Sequence, residues 1–249
     1  MRKYLLALVL SLLILFQTAL ASANAYSMTT RDVGPCRKLK GNVAVVTIFV
    51  DTPRSSWTEA ERDRFYVGLW KNTAEIEQQA ASYGTGLSFS ALWAQVSTKY
   101  NVSRIEDKDF NIDWYWDILK YYGLNSMQEM HDAWLGTYDD LAVLFLFDEE
   151  GRCYSYESES DQAWREEFPV YFTRSFPDGK IDHELYHLFG AIDLYQPAAV
   201  EKAARKYFGE SLMMGGSINI DSFNAYLLGW TDALDDKAKA FREAVRGVN

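Results

Sequence analysis

The sequence predicts an α/β (α+β) fold: a mixed twisted sheet, a histidine-bearing helix and a mainly helical C-terminal part. Three observations lead there. Asn42 to Val50 is a near-continuous β-branched run, the pattern of a strand buried on both faces. A helical period follows, with Phe65, Leu69, Ile76, Ala80 and Tyr83 at three-, four- and seven-residue spacings, which puts them on one helix face. Apolar strand patterns and helical patterns then alternate as far as the segment that carries His183 and His187, an order that builds a sheet with helices packed on it.

Thr58 and Glu61 have the spacing of a capping box at the start of the first helix, and Gly84 stands where that helix should stop. Leu87 to Tyr100 alternates as a second strand, and Asp113 to Trp134 reads as one or two aromatic-rich helices. Leu141 to Phe147 is an apolar third strand and Pro169 to Phe176 a fourth, beside the expected cleft. Ala203 to Phe208 and Ile220 to Val245 look mainly helical, most clearly over Lys237 to Arg246. There is no repeat or low-complexity tract, so residues 26–249 are expected to form a single catalytic domain.

Residues 1–25 have the marks of a signal peptide: Arg2 and Lys3, an apolar run from Tyr4 to Phe16, and Ala23-Asn24-Ala25 as a small-x-small cleavage site. Ala21-Ser22-Ala23 is the other cleavage option, and retention as an anchor the other fate. Cleavage leaves 224 of the 249 residues, enough for a sizeable core, and takes the net charge from −10 to −12. That acidity argues against nucleic acid or an anionic membrane as partner. The expectation is a secreted or cell-envelope protein, monomeric and without stable membrane insertion. In an oxidising compartment the two cysteines, Cys36 and Cys153, are expected to form one disulfide.

The chemistry lies in His183-Glu184-Leu185-Tyr186-His187. On a helix, positions i and i+4 share a face, so two imidazoles can serve one zinc ion while Glu184 sits beside the bound water. Zinc needs such neutral nitrogens, a third ligand and an open position. Glu184 is then placed to take a proton from water and return it to a leaving amine. Gly190 can enter left-handed geometry and reverse the chain, which would bring Asp193 back as third ligand. Further on, Ser211-Leu212-Met213-Met214-Gly215 sets Met213 in a turn. A second scheme recruits a downstream glutamate, Glu210 or Glu201, in place of Asp193.

The run from His183 to Asp193 with the later methionine turn resembles the metzincin metallopeptidases, in the aspartate variant found in the small secreted snapalysins. The resembling residues are Ile181 to Tyr195 and Ser211 to Gly215 alone. The resemblance implies a zincin-like fold and a secreted endopeptidase for peptide or protein substrates. It gives zinc ligands at His183, His187 and Asp193, Glu184 as base, and Met213 in support. This chain departs from many relatives in its aspartate ligand and in having Gly215 where a tyrosine often stabilises the oxyanion; Tyr195 or Tyr226 are the candidates for that duty.

Two functions of other kinds stay open: a zincin-fold envelope binding module without activity, and a zinc amidase for a non-protein amide. Asp148 to Asp161 is rich in acids but lacks the ligand spacing of a calcium loop, so it reads as a solvated loop and calcium as unsupported. His131 reads as a surface or half-buried histidine in an aromatic helix, with a metal role as the lesser alternative.

Overall fold

A computed structural model of the chain describes residues 35–134, 136–157, 166–175, 180–215 and 219–246. The expected signal peptide, residues 1–25, lies outside these, as do 158–161 of the acidic stretch and Phe176 at the end of the expected fourth strand. The described residues fall into two compact units, one of 35–192 with Asn224–Asp232 and the other of 193–223 with 233–246. No helix among them is long and apolar enough to cross a membrane.

The first unit runs β1 (Gly41–Asp51), α1 (Glu59–Ser82), β2 (Leu87–Ser97), α2 (Asp113–Tyr121), α3 (Met127–Trp134), β3 (Asp140–Phe147), β4 (Tyr154–Glu157), β5 (Glu167–Phe172) and α4 (Asp182–Leu188). It is a mixed α/β arrangement about a five-stranded, mostly parallel sheet of order β2-β1-β3-β5-β4. Only β4 runs antiparallel, pairing Tyr154 with Val170 and Glu157 with Glu167.

The burial of β1 explains its sequence. Thr47 and Phe49 face α1, where Thr47 Oγ1 lies 2.7 Å from the Tyr66 hydroxyl and Phe49 packs edge-on to Phe65. Ala44, Ile48 and Val50 face the opposite way, into a core shared with α2. With both faces covered the strand has no need of polar alternation. β3 is buried at all eight positions for the same reason. Its Phe145 and Phe147 meet Trp114 of α2 at 5.1 and 5.0 Å, in edge-to-face geometry. At the head of α1 the capping box forms, Thr58 accepting from Glu61 N and Glu61 from Thr58 N.

The second unit contains α5 (Ala198–Phe208), one 3-10 turn (Leu212–Met214) and α7 (Asp236–Ala244), while α6 (Ser222–Leu227) spans the division. Its core is a ring cluster in which Phe208 and Phe223 pack against Phe241 at 5.3 and 5.1 Å.

Three expectations change. The acidic stretch is not all loop: Tyr154–Glu157 form the edge strand β4, because Tyr154 and Tyr156 pack on Phe172 and Phe168. The fourth expected strand starts at Glu167 and ends at Phe172, where Thr173 to Ser175 turn. The disulfide does not form. Cys36 and Cys153 are free, buried thiols. Cys36 donates to Leu141 O at 3.2 Å near the start of β3, whereas Cys153 Sγ accepts from Phe172 N at 3.4 Å. Phe172 is level with Phe147, six residues along β3 from Leu141. That is about 20 Å of strand, against the roughly 7 Å between Cα atoms that a disulfide tolerates.

Candidate metal centre

Helix α4 has seven residues, too few to hold its shape without outside support. Asn72 of α1 supplies it. Its Oδ1 accepts from Ile181 N at 2.7 Å and Asp182 N at 3.1 Å, and its Nδ2 donates to Asp182 Oδ2 at 3.3 Å. Tyr171 of β5 donates its hydroxyl to Ile181 O at 2.7 Å. Burial, with the Glu184 carboxylate next in effect, pushes that phenol well above its ordinary value, so it remains a protonated donor. Leu185, Tyr186 and Leu188 are buried, leaving His183, Glu184 and His187 half-buried.

The two histidine rings stand nearly perpendicular, with Nε2 atoms 3.3 Å apart. His187 Nδ1 lies 2.9 Å from the Ala191 carbonyl. A carbonyl only accepts, so Nδ1 carries the proton and Nε2 keeps its lone pair. Two nitrogens bound tetrahedrally to one zinc at 2.0–2.1 Å would stand about 3.3–3.4 Å apart. The pair fits such an ion.

The helix ends as its glycine predicts. Gly190 adopts φ 92°, and Gly190 N and Ala191 N return to the carbonyls of His187 and Tyr186, each at 3.0 Å. The reversed chain is held by Asn224, whose Oδ1 accepts from Ile192 N at 2.8 Å. The chain then passes into Asp193, six residues after His187. Of the second scheme's glutamates, Glu201 pairs with Arg205 on its own helix at 3.0 Å, and Glu210 is exposed. In the second unit, Leu194 N donates to Met213 O at 2.8 Å, which ties the residue after Asp193 to the methionine turn. Met213 is fully buried, its N–H capped by Ser211 Oγ at 3.1 Å, and Gly215 closes the turn at φ 80°.

Glu184 is steadied from the edge strand. Ser155 Oγ lies 3.0 Å from Glu184 Oε2 and 3.0 Å from its backbone carbonyl. The candidate oxyanion residues Tyr195 and Tyr226 are half-buried. The remaining histidine, His131, corrects its expectation: it is 1% exposed, beside Cys36 and Asp140.

Compared with known proteins, the chain matches no protein-family model and no curated protein.

The residues that hold the site in place escaped the sequence reading. Asn72, Ser155 and Asn224 lie 111, 29 and 40 positions from His183, Glu184 and Glu184 respectively, and each is a common polar residue in an unremarkable stretch. The one available signal was composition: Asn72 is polar in the helical pattern of α1, next to the position of a buried stripe.

Proposed function

We propose that the chain is a zinc-dependent metallopeptidase of the metzincin kind, acting after export on peptide or protein substrates. His183, His187 and Asp193 would hold the zinc ion and Glu184 would be the general base. The observation that carries this reading is the pair of Nε2 atoms 3.3 Å apart, one with its tautomer fixed by Ala191 O. Zinc bound there would supply a Lewis acid for the scissile carbonyl and lower the pKa of water.

The chain's own residues do the rest. Glu184 takes the proton from the attacking water and returns it to the leaving amine, with Ser155 fixing the carboxylate's direction. The Met213 carbonyl accepts from Leu194 N and so anchors the segment that carries Asp193. Support for the fold is coarser: a mostly parallel sheet whose antiparallel edge strand lies against the helix bearing the histidines.

The deciding experiment measures metal content and proteolysis side by side for wild type and Glu184→Ala. Wild type is expected to hold zinc at this site and to cleave a general protein substrate, losing activity to chelators. Glu184→Ala should keep the zinc and lose about 100-fold or more in rate. Zinc-loaded wild type that cleaves nothing across a broad peptide library would sink the peptidase reading in favour of a binding module or an amidase.

A further inference from the structure

The three residues that the candidate peptidase site leaves unused meet elsewhere in the first unit. Cys36 precedes β1, His131 lies on α3, and Asp140 opens β3. They are 1%, 1% and 5% exposed, and their ligand atoms all lie within 4.8 Å of one another. We propose that Cys36, His131 and Asp140 form a second metal site, for a divalent cation of the zinc class, that pins the segment before β1 to β3 and α3.

Geometry supports it first. His131 Nε2 is 3.8 Å from Cys36 Sγ. A sulfur at 2.3 Å and a nitrogen at 2.0–2.1 Å on one tetrahedral zinc stand about 3.6 Å apart. On the other side of the ring, Nδ1 is fully buried with no hydrogen-bond partner among the described residues. Its nearest acidic atom, Asp140 Oδ1, is 4.0 Å away, too far for a hydrogen bond. The Cys36 thiol already has a better acceptor in Leu141 O at 3.2 Å, so a hydrogen bond to it does not account for the placing of Nε2.

Charge and access point the same way. Asp140 Oδ2 accepts from the N–H groups of Arg37 and Lys38 at 2.9 and 3.1 Å, and Oδ1 from Leu141 N at 2.8 Å. One lone pair on Oδ1 is left over for a cation. A thiolate and a carboxylate together neutralise a divalent ion, so the filled site would bury no net charge. Without a cation, Cys36 is a thiol whose S–H donates to Leu141 O. Metal binding breaks that S–H bond, forms the sulfur–metal bond, and passes one proton to solvent. Of the three ligands, Asp140 also lines an open cavity of about 1080 Å³, together with Arg37, Gln128 and Asp132. Thiolate with imidazole selects zinc or cobalt over calcium and magnesium.

The test is a cobalt titration of reduced, metal-free full chain. Cobalt on a thiolate gives a sulfur-to-metal charge-transfer band in the near ultraviolet, and His183, His187 and Asp193 contain no sulfur to produce one. The band is expected in wild type, in Cys153→Ser and in the double variant His183→Ala/His187→Ala, saturating at about one cobalt per chain. It should vanish in Cys36→Ser, weaken at least about tenfold in affinity in His131→Gln, and be displaced by zinc. With two cysteines in the chain, survival in Cys153→Ser assigns the band to Cys36 even if Cys36→Ser does not fold. A folded wild type with no band, a band lost in Cys153→Ser, or a band that zinc leaves in place overturns the proposal. None of these outcomes touches the peptidase reading, which rests on other ligands.

Discussion

The Ser155 hydroxyl, on the edge strand β4, reaches both the side chain and the backbone carbonyl of Glu184 at 3.0 Å. A hydroxyl has one proton, so it donates to one of these at a time, and either bond fixes the residue on which the proposed chemistry turns. Ser155→Ala removes one such bond, worth about 0.5–1.5 kcal/mol. The expected result is a roughly three- to tenfold drop in kcat, with KM, zinc content and melting temperature little changed. Ser155→Thr keeps the hydroxyl and should recover most of the rate. A loss of stability in Ser155→Ala with kcat intact would instead make Ser155 a structural residue.

Asn72 is the main outside support of α4. Asn72→Ala leaves the buried N–H groups of Ile181 and Asp182 without their acceptor. Each unmet buried group costs about 1–3 kcal/mol, so unfolding in denaturant should shift by roughly 2–4 kcal/mol after allowance for partial rescue by water. Zinc affinity should fall with it, because the first turn of the metal-bearing helix loosens. An unchanged unfolding midpoint would show that Tyr171 and the buried side chains alone set the helix.

Much of this was legible in the sequence, for definite reasons. The β-branched run of β1 announced a strand covered on both faces because Phe49 and Ile48 point in opposite directions into apolar surroundings. Thr58, Glu61, Gly84 and Gly190 act through their own backbone or within a few residues, so their roles follow from local spacing. His183 and His187 share a helix face by periodicity alone. What stayed hidden depends on register between distant segments. Tyr154–Glu157 is too short and too near acids to look like a strand until it is paired with β5. Ser155 acquires its partner through that pairing. The Cys36, His131 and Asp140 cluster needs three elements brought together, and reading the two cysteines as a pair concealed it.

Spacing left Glu210 open as third ligand although Gly190, Asp193 and Met213 favoured Asp193, and the variants separate the two. Asp193→Ala should lower zinc affinity at the histidine pair by at least about 100-fold, beyond what loss of an outer-shell partner does. Glu210→Ala, an exposed position, should leave it unchanged. Asn224→Ala should fall between: it deprives Ile192 N of its 2.8 Å acceptor in the turn that delivers Asp193, so about tenfold is expected. These affinities are best read by zinc competition in the Glu184→Ala background, where no turnover complicates them. The reverse order, with Glu210 dominant, would discard the aspartate scheme.

The two thiols give a pH dependence with a definite sign. Burial chiefly, with the Glu184 carboxylate adding, raises Cys153 from 9.0 to about 12, and burial also pushes Cys36 well up. The folded chain therefore keeps protons that the unfolded chain gives up. Stability from this source is complete below pH 9.0 and is lost as pH climbs towards about 12 for Cys153. For one thiol the slope approaches about 1.4 kcal/mol per pH unit. Unfolding of the metal-free protein followed between pH 8 and 11 should show this decline, flattened in Cys153→Ala. At pH 8 a thiol reagent should leave the native metal-free chain nearly untouched and titrate two thiols per chain once denaturant is added. Finding none in denaturant would restore the disulfide, and would require Cys36 and Cys153 to leave the opposite ends of the sheet where Leu141 and Phe172 now hold them.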